Sequence, residues 1–148
     1  MISRFIICSK IIAFCLLGTV YAAEWKTVQI GDQLQLSVEV VSSMREQALG
    51  LGNRFSVPEG TGMLFHYPDV GERIFWMKRM NFAIDIIWIQ KGKIVHIEQN
   101  VLPPPSKISD RMLKRYGIGV LANMILEVPA GYCQKKSIHI NDFIKLLP

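Results

Sequence analysis

Cysteine is scarce in this chain: Cys8, Cys15 and Cys133 are the three it has. Two of them fall within the first fifteen residues, so a disulfide-stapled scaffold is excluded and the folded part must be held by its core. Cys133 is left as a lone thiol in "AGYCQKK", with no histidine, asparagine or aspartate at a spacing that would mark it as a nucleophile. Histidine is equally sparse. His66, His96 and His139 stand one per segment with no i, i+2 or i+4 pair, so no metal-ligand spacing is present, and no metal or other cofactor is expected. The G-x-S-x-G elbow and the S-x-x-K pair are both missing. "GLGNRF" has glycines without the spacing or the strand-to-helix setting of a phosphate-binding loop. Charge of one sign is not in large excess either: 17 basic residues face 12 acidic ones, and the basic residues are scattered, which speaks against a nucleic-acid partner.

What is present begins at the N-terminus. Arg4 and Lys10 precede an apolar run from Ile11 to Val20, and small residues follow at Ala22 and Ala23. This is the three-part layout of a signal peptide, with cleavage expected after Ala22. The run is shorter than the ~20 residues a membrane span needs, and Cys15 follows Phe14 rather than a small residue, so neither a retained membrane span nor a lipid anchor is expected. The expectation is an exported protein, periplasmic or extracellular, of residues 23–148. Losing Arg4 and Lys10 lowers the net charge from +5 to +3. What remains is enough for one domain and too little for two.

The rest reads mainly as strand. In "LQLSVEVV" apolar Leu34, Leu36, Val38 and Val40 alternate with their neighbours at a period of two. "WKTVQI" precedes it across "GDQ", a hairpin turn. Ser43 with Glu46 forms a capping box, and Gly50 with Gly52 a stop, so "SSMREQALGLG" holds one short helix. "GERIFWMK", "AIDIIWIQ" and "KIVHIEQNV" follow as strands, and "NMILEVPAG" and "SIHINDFIKLL" close the chain. Three prolines, Pro103 to Pro105, open a long loop that runs to Gly119, since proline cannot sit in a central strand. The fold class is therefore mainly β, or β-rich α+β: a single barrel-like or sandwich domain with one short helix and a long proline-rich loop.

Candidate chemistry lies in charges set among apolar residues. Glu39, Asp85 and Glu127 occur in "SVEVV", "AIDII" and "ILEVP". Desolvated, such carboxyls could act as general acids; paired with Lys78, Arg45 or Arg54, they would be structural. Lys78 and Asp85, seven apart, are expected at facing positions of a hairpin and within reach of one ion pair. Trp76, at the same period as Lys78, would lie beside them, and aromatic faces next to charges suit a sugar or another amphipathic ligand.

Seven motifs occur in order: "LGL", "GTGMLFHY", "FWMK", "IDIIWI", "GKIVHI", "ILEVPAG" and "IHINDFIKL". Together they resemble the prokaryotic family called domain of unknown function 192, over about Val38 to Leu146. The resemblance implies a compact β-rich domain, often exported, and no activity. Its pattern matches at Glu39, Arg45, Gly50, Arg54, Gly62, Met63, Phe65, Trp76, Met77, Lys78, Asp85, Glu127, Gly131 and Asp142. It departs at Gly52 for a methionine, at Arg79-Met80 for Asn-Thr, at Ala83-Ile84 for Pro-Leu, and at Asn141 for a glycine.

The residues favour a non-catalytic module binding a carbohydrate or a cell-envelope component, with Trp76, Lys78, Asp85, Glu39, Arg54 and Glu127 as its site. Two other readings stay open. One is an accessory domain meeting a protein partner through the Pro103–Arg115 loop, where Arg111, Lys114 and Arg115 would face an acidic surface. The other is a hydrolase using Glu39 or Glu127 with Asp85.

Overall fold

The computed structural model describes residues 24–147. The expected leader, with Cys8 and Cys15, lies outside the described residues. Strand β1 (Glu24–Ile30) turns through Gly31, whose φ of 57° suits a glycine, into β2 (Leu34–Val41). Ser43 then caps helix α1 (Met44–Leu49) with both halves of the capping box formed, the Glu46 N–H donating to Ser43 Oγ and the Ser43 N–H to Glu46 Oε2. The chain crosses to β3 (Thr61–Glu72), which runs parallel to β2. Strands β4 (Ile84–Gln90), β5 (Lys93–Val101) and β6 (Leu121–Pro129) follow, then a second short helix, α2 (Tyr132–Lys135), and β7 (Ile144–Leu146).

All seven strands join one sheet in the order β5-β4-β6-β3-β2-β1-β7. The sheet curls until its ends approach: Ile94 at the start of β5 exchanges backbone bonds of 2.9 Å with Asn141 and Asp142, just ahead of β7. Register shifts within β3 and along the β4–β5 pair supply the local bends that such curvature requires. One face of the sheet packs Val38, Leu64, Ile87 and Leu126 with Tyr132, Cys133 and Ile138. The opposite face packs Met63, Phe65, Ile86, Trp88 and Ile125 under Leu51, Met77 and Met80 from the loops. Strand β4 lies between both layers, which is why "IDIIWI" is an unbroken apolar run apart from Asp85.

The fold is thus mainly β, a single curled sheet approaching a barrel, as the alternation predicts. The helix expected over "SSMREQAL" is present, and a second short helix follows "VPAG". Pro103 to Gly119 contains one 3-10 turn, Asp110–Met112, and otherwise runs as loop. One segment differs from expectation. "GERIFWMK" is not a separate strand: β3 extends to Glu72, and beyond it Phe75 makes an isolated bridge with Tyr116. Residues 74–82 form a loop over the sheet, so no hairpin places Lys78 opposite Asp85.

Trp88 is the largest fully buried side chain, and its Nε1 donates to the Arg73 carbonyl at 2.7 Å. Gly117, at φ 74°, lies flat on the indole: a Cβ there would stand 2.5 Å from three ring atoms. Gly117→Ala therefore combines a left-handed backbone with overpacking and is expected to destabilise by about 2–3 kcal/mol. Urea unfolding would show this as a lower midpoint at an unchanged slope.

Candidate functional site

The sheet register sets the site. Glu39 on β2 lies beside Met63 on β3, Met63 beside Glu127 on β6, and Glu127 beside Ile86 on β4. Paired residues share a face, so Glu39 and Glu127 lie on the side packed by Phe65 and Trp88. Asp85 is paired with Val128 and faces the other way.

Over Glu127 the surface opens into a cleft of about 260 Å³. Its floor is Phe65, Tyr67 and Glu127. One wall is the end of α1 with Gly50 to Gly52, and the other is the loop from Ile74 through Trp76 and Lys78 to Met80. Gly50 permits this close approach. Its φ of 52° and ψ of −136° belong to a region that only glycine occupies readily, and its N–H closes the helix on the Glu46 carbonyl at 2.8 Å. A Cβ on Gly50 would meet Phe65 at 3.1 Å and stand 3.9 Å from Glu127 Oε2. Gly52, where the resembled family has methionine, is as tightly held: a Cβ would strike the Leu49 carbonyl at 2.8 Å.

Glu127 is 5% exposed, and among the described residues nothing hydrogen-bonds its Oε2. Burial pushes its carboxyl up to about 8, against the opposing pull of Arg54, so at neutral pH it is largely protonated. Arg54 is committed elsewhere: its guanidinium grips both Glu39 oxygens at 2.8 and 3.0 Å, and its carbonyl accepts from Asn81 Nδ2 at 2.9 Å. Tyr67 lies with Arg73 4.0 Å over its ring. Burial raises its phenol, Arg73 lowers it, and Glu127 raises it.

Trp76 stands on the rim, 41% exposed, with the Arg115 guanidinium 3.9 Å from its ring centroid and Lys78 Nζ at 5.7 Å. Lys78 does not meet Asp85. It pairs with Asp110 on the 3-10 turn and so ties the proline-rich loop to the cleft wall. Asp85 is wholly buried and spent on backbone: Oδ1 accepts from Asn100 and Gly131 at 2.8 and 3.1 Å, and Oδ2 from Cys133 at 2.9 Å. The expected Lys78–Asp85 pair is thereby corrected, since the two side chains lie on opposite sides of the sheet. Cys133 is fully buried, and its thiol is pushed up first by desolvation and then by the Asp85 charge, which leaves it an unreactive thiol.

Of the six residues expected to form a site, Trp76, Lys78 and Glu127 line the cleft, Glu39 and Arg54 form the ion pair near Glu127, and Asp85 stands behind the sheet. Tyr67 and Gln47 were not singled out. Tyr67 continues the period of Met63 and Phe65 along β3, the one signal that could have found it. Gln47 binds the Val41 and His66 carbonyls through Nε2, a contact nineteen residues distant in chain and invisible to periodicity. Among the described residues no three His, Cys, Asp or Glu side chains group so as to hold a metal ion, and no helix is long and apolar enough to cross a membrane.

The model of the family DUF192, described as an uncharacterized ACR, matches residues 26–146. No curated protein matches the chain. Two solved structures share its fold. One is a protein from Sinorhizobium meliloti 1021 described as a candidate transcription regulator, with a TM-score of 0.74 and 21% identity over 84% of this chain and 95% of that one. The other is a protein of unknown function from Novosphingobium aromaticivorans DSM 12444, with a TM-score of 0.68 and 22% identity over 86% of this chain and 89% of that one. At such identities the likeness is one of fold alone.

Proposed function

Because the chain belongs to the DUF192 family, whose description names no activity, we propose from its own cleft that it is an exported, non-catalytic module binding a small carbohydrate or cell-envelope component. The observation that carries this is Glu127: a buried carboxyl oxygen without a partner among the described residues, placed on the floor of an open cleft. A buried polar group left unpaired costs about 1–3 kcal/mol, and a ligand able to reach it recovers that cost. Phe75, Tyr67 and the exposed Trp76 supply faces on which a ring could lie. Export rests on the basic, apolar and small-residue layout of residues 1–23.

The hydrolase reading loses its partner carboxylate. Asp85 is on the far side of the sheet with three backbone donors, and Glu39 is gripped by Arg54. The regulator description of the S. meliloti protein is not carried over, since the basic residues are scattered along the sequence and it shows no motif of a nucleic-acid module. A protein partner at the proline-rich loop keeps one observation in its favour. Leu102 and Met112 are 70% and 73% exposed, beside Arg111 and Lys114.

Thermal unfolding against a panel of oligosaccharides and cell-wall fragments tests the proposal. A ligand at a hundred times its dissociation constant stabilises by about 2.7 kcal/mol, roughly ten degrees for a domain of this size. Trp76→Ala and Glu127→Gln should each shrink that shift. A panel without effect would count against the cleft and in favour of the loop as the binding surface.

A further inference from the structure

The cleft holds a carboxyl oxygen, Glu127 Oε2, that nothing among the described residues hydrogen-bonds. Among the described residues, three donor-bearing side chains near Glu127 are spent elsewhere, and the Tyr67 hydroxyl on the floor makes no bond to Oε2. Gln47 Nε2 donates to the Val41 and His66 carbonyls, Arg54 to Glu39, and Lys78 to Asp110. Once ionised, Glu127 Oε2 can only accept, so a ligand that pairs with it in that state brings the donor itself. We infer that the ligand of this cleft carries a protonated amine with at least one N–H, seated against Glu127, with a small, partly apolar body lying along Tyr67 and Phe75. This rests on the small-ligand reading above and narrows it.

Two features favour an ammonium over a hydroxyl. A charge-assisted N–H bond to a carboxylate is roughly twice as strong as a neutral one. The floor and wall are also aromatic: Phe65 and Phe75 meet edge to face at 4.8 Å beside the carboxyl, and ring faces attract cations where water is excluded. The cations already present do not oppose this strongly, because Lys78 is neutralised by Asp110 and Arg54 by Glu39. A quaternary ammonium would leave the oxygen unpaired, so the N–H is required. The volume of about 260 Å³ suits a body of one ring.

Binding of this kind is tied to protons. Glu127 must ionise to receive the cation, and its carboxyl sits at about 8. The groups facing it are Glu39 on β2 with its partner Arg54, Tyr67 on β3 with Arg73 just beyond that strand, and Lys78 on the loop. From β4 it meets Ile86, and from the end of α1 Gly50. Tyr67 is raised from its ordinary value near 10, outside the range in which Glu127 titrates.

The experiment uses two probes of one shape, benzylamine and benzyl alcohol, titrated into the full chain between pH 6 and pH 9. Benzylamine is expected to tighten about tenfold per pH unit up to about pH 8 and then level off. At pH 7 calorimetry in buffers of different ionisation enthalpy should show nearly one proton released per amine bound. Benzyl alcohol should bind at least tenfold more weakly at pH 8, without that slope. Glu127→Gln should remove both the slope and the preference. Equal binding of the two probes, or tighter binding of the alcohol, overturns the amine inference and leaves the cleft as a site for neutral ligands. Failure of both probes also overturns it. If the oligosaccharide panel is then silent as well, the small-ligand reading falls with it.

Discussion

Replacing Asp85 by alanine is expected to destabilise the domain by about 4 kcal/mol, and by asparagine only somewhat less. The carboxylate is wholly buried and receives three backbone N–H groups, from Asn100 at the end of β5 and from Gly131 and Cys133 at the start of α2. Alanine would leave three donors short of a partner, each costing about 1–3 kcal/mol where water cannot reach it. Asparagine keeps the shape but offers one oxygen, and its NH₂ would face a donor. The effect should appear as a lower urea midpoint, with hydrogen exchange accelerated first at Cys133 and Gly131. Glu at this position would not rescue, since the extra methylene has no room in a fully packed strand. A loss below about 1 kcal/mol would mean that Asp85 does not organise the β6–α2 turn. Ligand binding in the cleft, on the other side of the sheet, should persist in any variant that folds.

Asp85 also shows why part of the site could not be read from sequence. The strands were legible wherever one face was wet: "LQLSVEVV" alternates because β2 alternates between core and more exposed positions. Strand β4 is buried on both faces, so its apolar run identifies a strand without telling which face Asp85 takes. Glu127 has the same difficulty in β6, and its neighbour across the sheet, Met63, is more than sixty residues away in the chain. The pairing of Lys78 was missed for a related reason. Its partner Asp110 lies on a 3-10 turn inside the proline-rich loop, 32 residues on, and no local pattern brings loops together. What could be read was chemistry rather than placement. Trp76, Lys78 and Glu127 line one cleft, and Glu39 pairs with Arg54 beside it, one of three partners the residue types left open.

Between pH 5 and pH 9 the largest pH effect should belong to Glu127. Its carboxyl titrates near 4.5 in the unfolded chain and at about 8 in the folded one, because burial opposes its charge. The direction follows from where the proton is held. Below about pH 4.5 both states are protonated and the titration of Glu127 adds no pH dependence. Between 4.5 and 8 the unfolded chain releases the proton while the folded chain retains it, so stability falls by about 1.4 kcal/mol per pH unit. Above 8 both are ionised, and the loss levels at roughly 4–5 kcal/mol. Glu46 and Glu59 are shifted the other way, lowered chiefly by hydrogen bonds to Ser43 and Lys135, so any effect of theirs falls below this window. Glu127→Gln cannot ionise. Urea unfolding of the two proteins from pH 5 to pH 9 should therefore give curves that nearly coincide at the acid end and diverge with rising pH, the variant becoming more stable by about 4 kcal/mol at pH 9. Parallel curves would mean that Glu127 ionises in the fold as readily as in water, and the cleft would lose the unpaired acid on which its ligand depends. Divergence that an amine ligand then abolishes would join stability and binding at one oxygen atom. The cation would hold in the folded state the charge that the empty cleft resists.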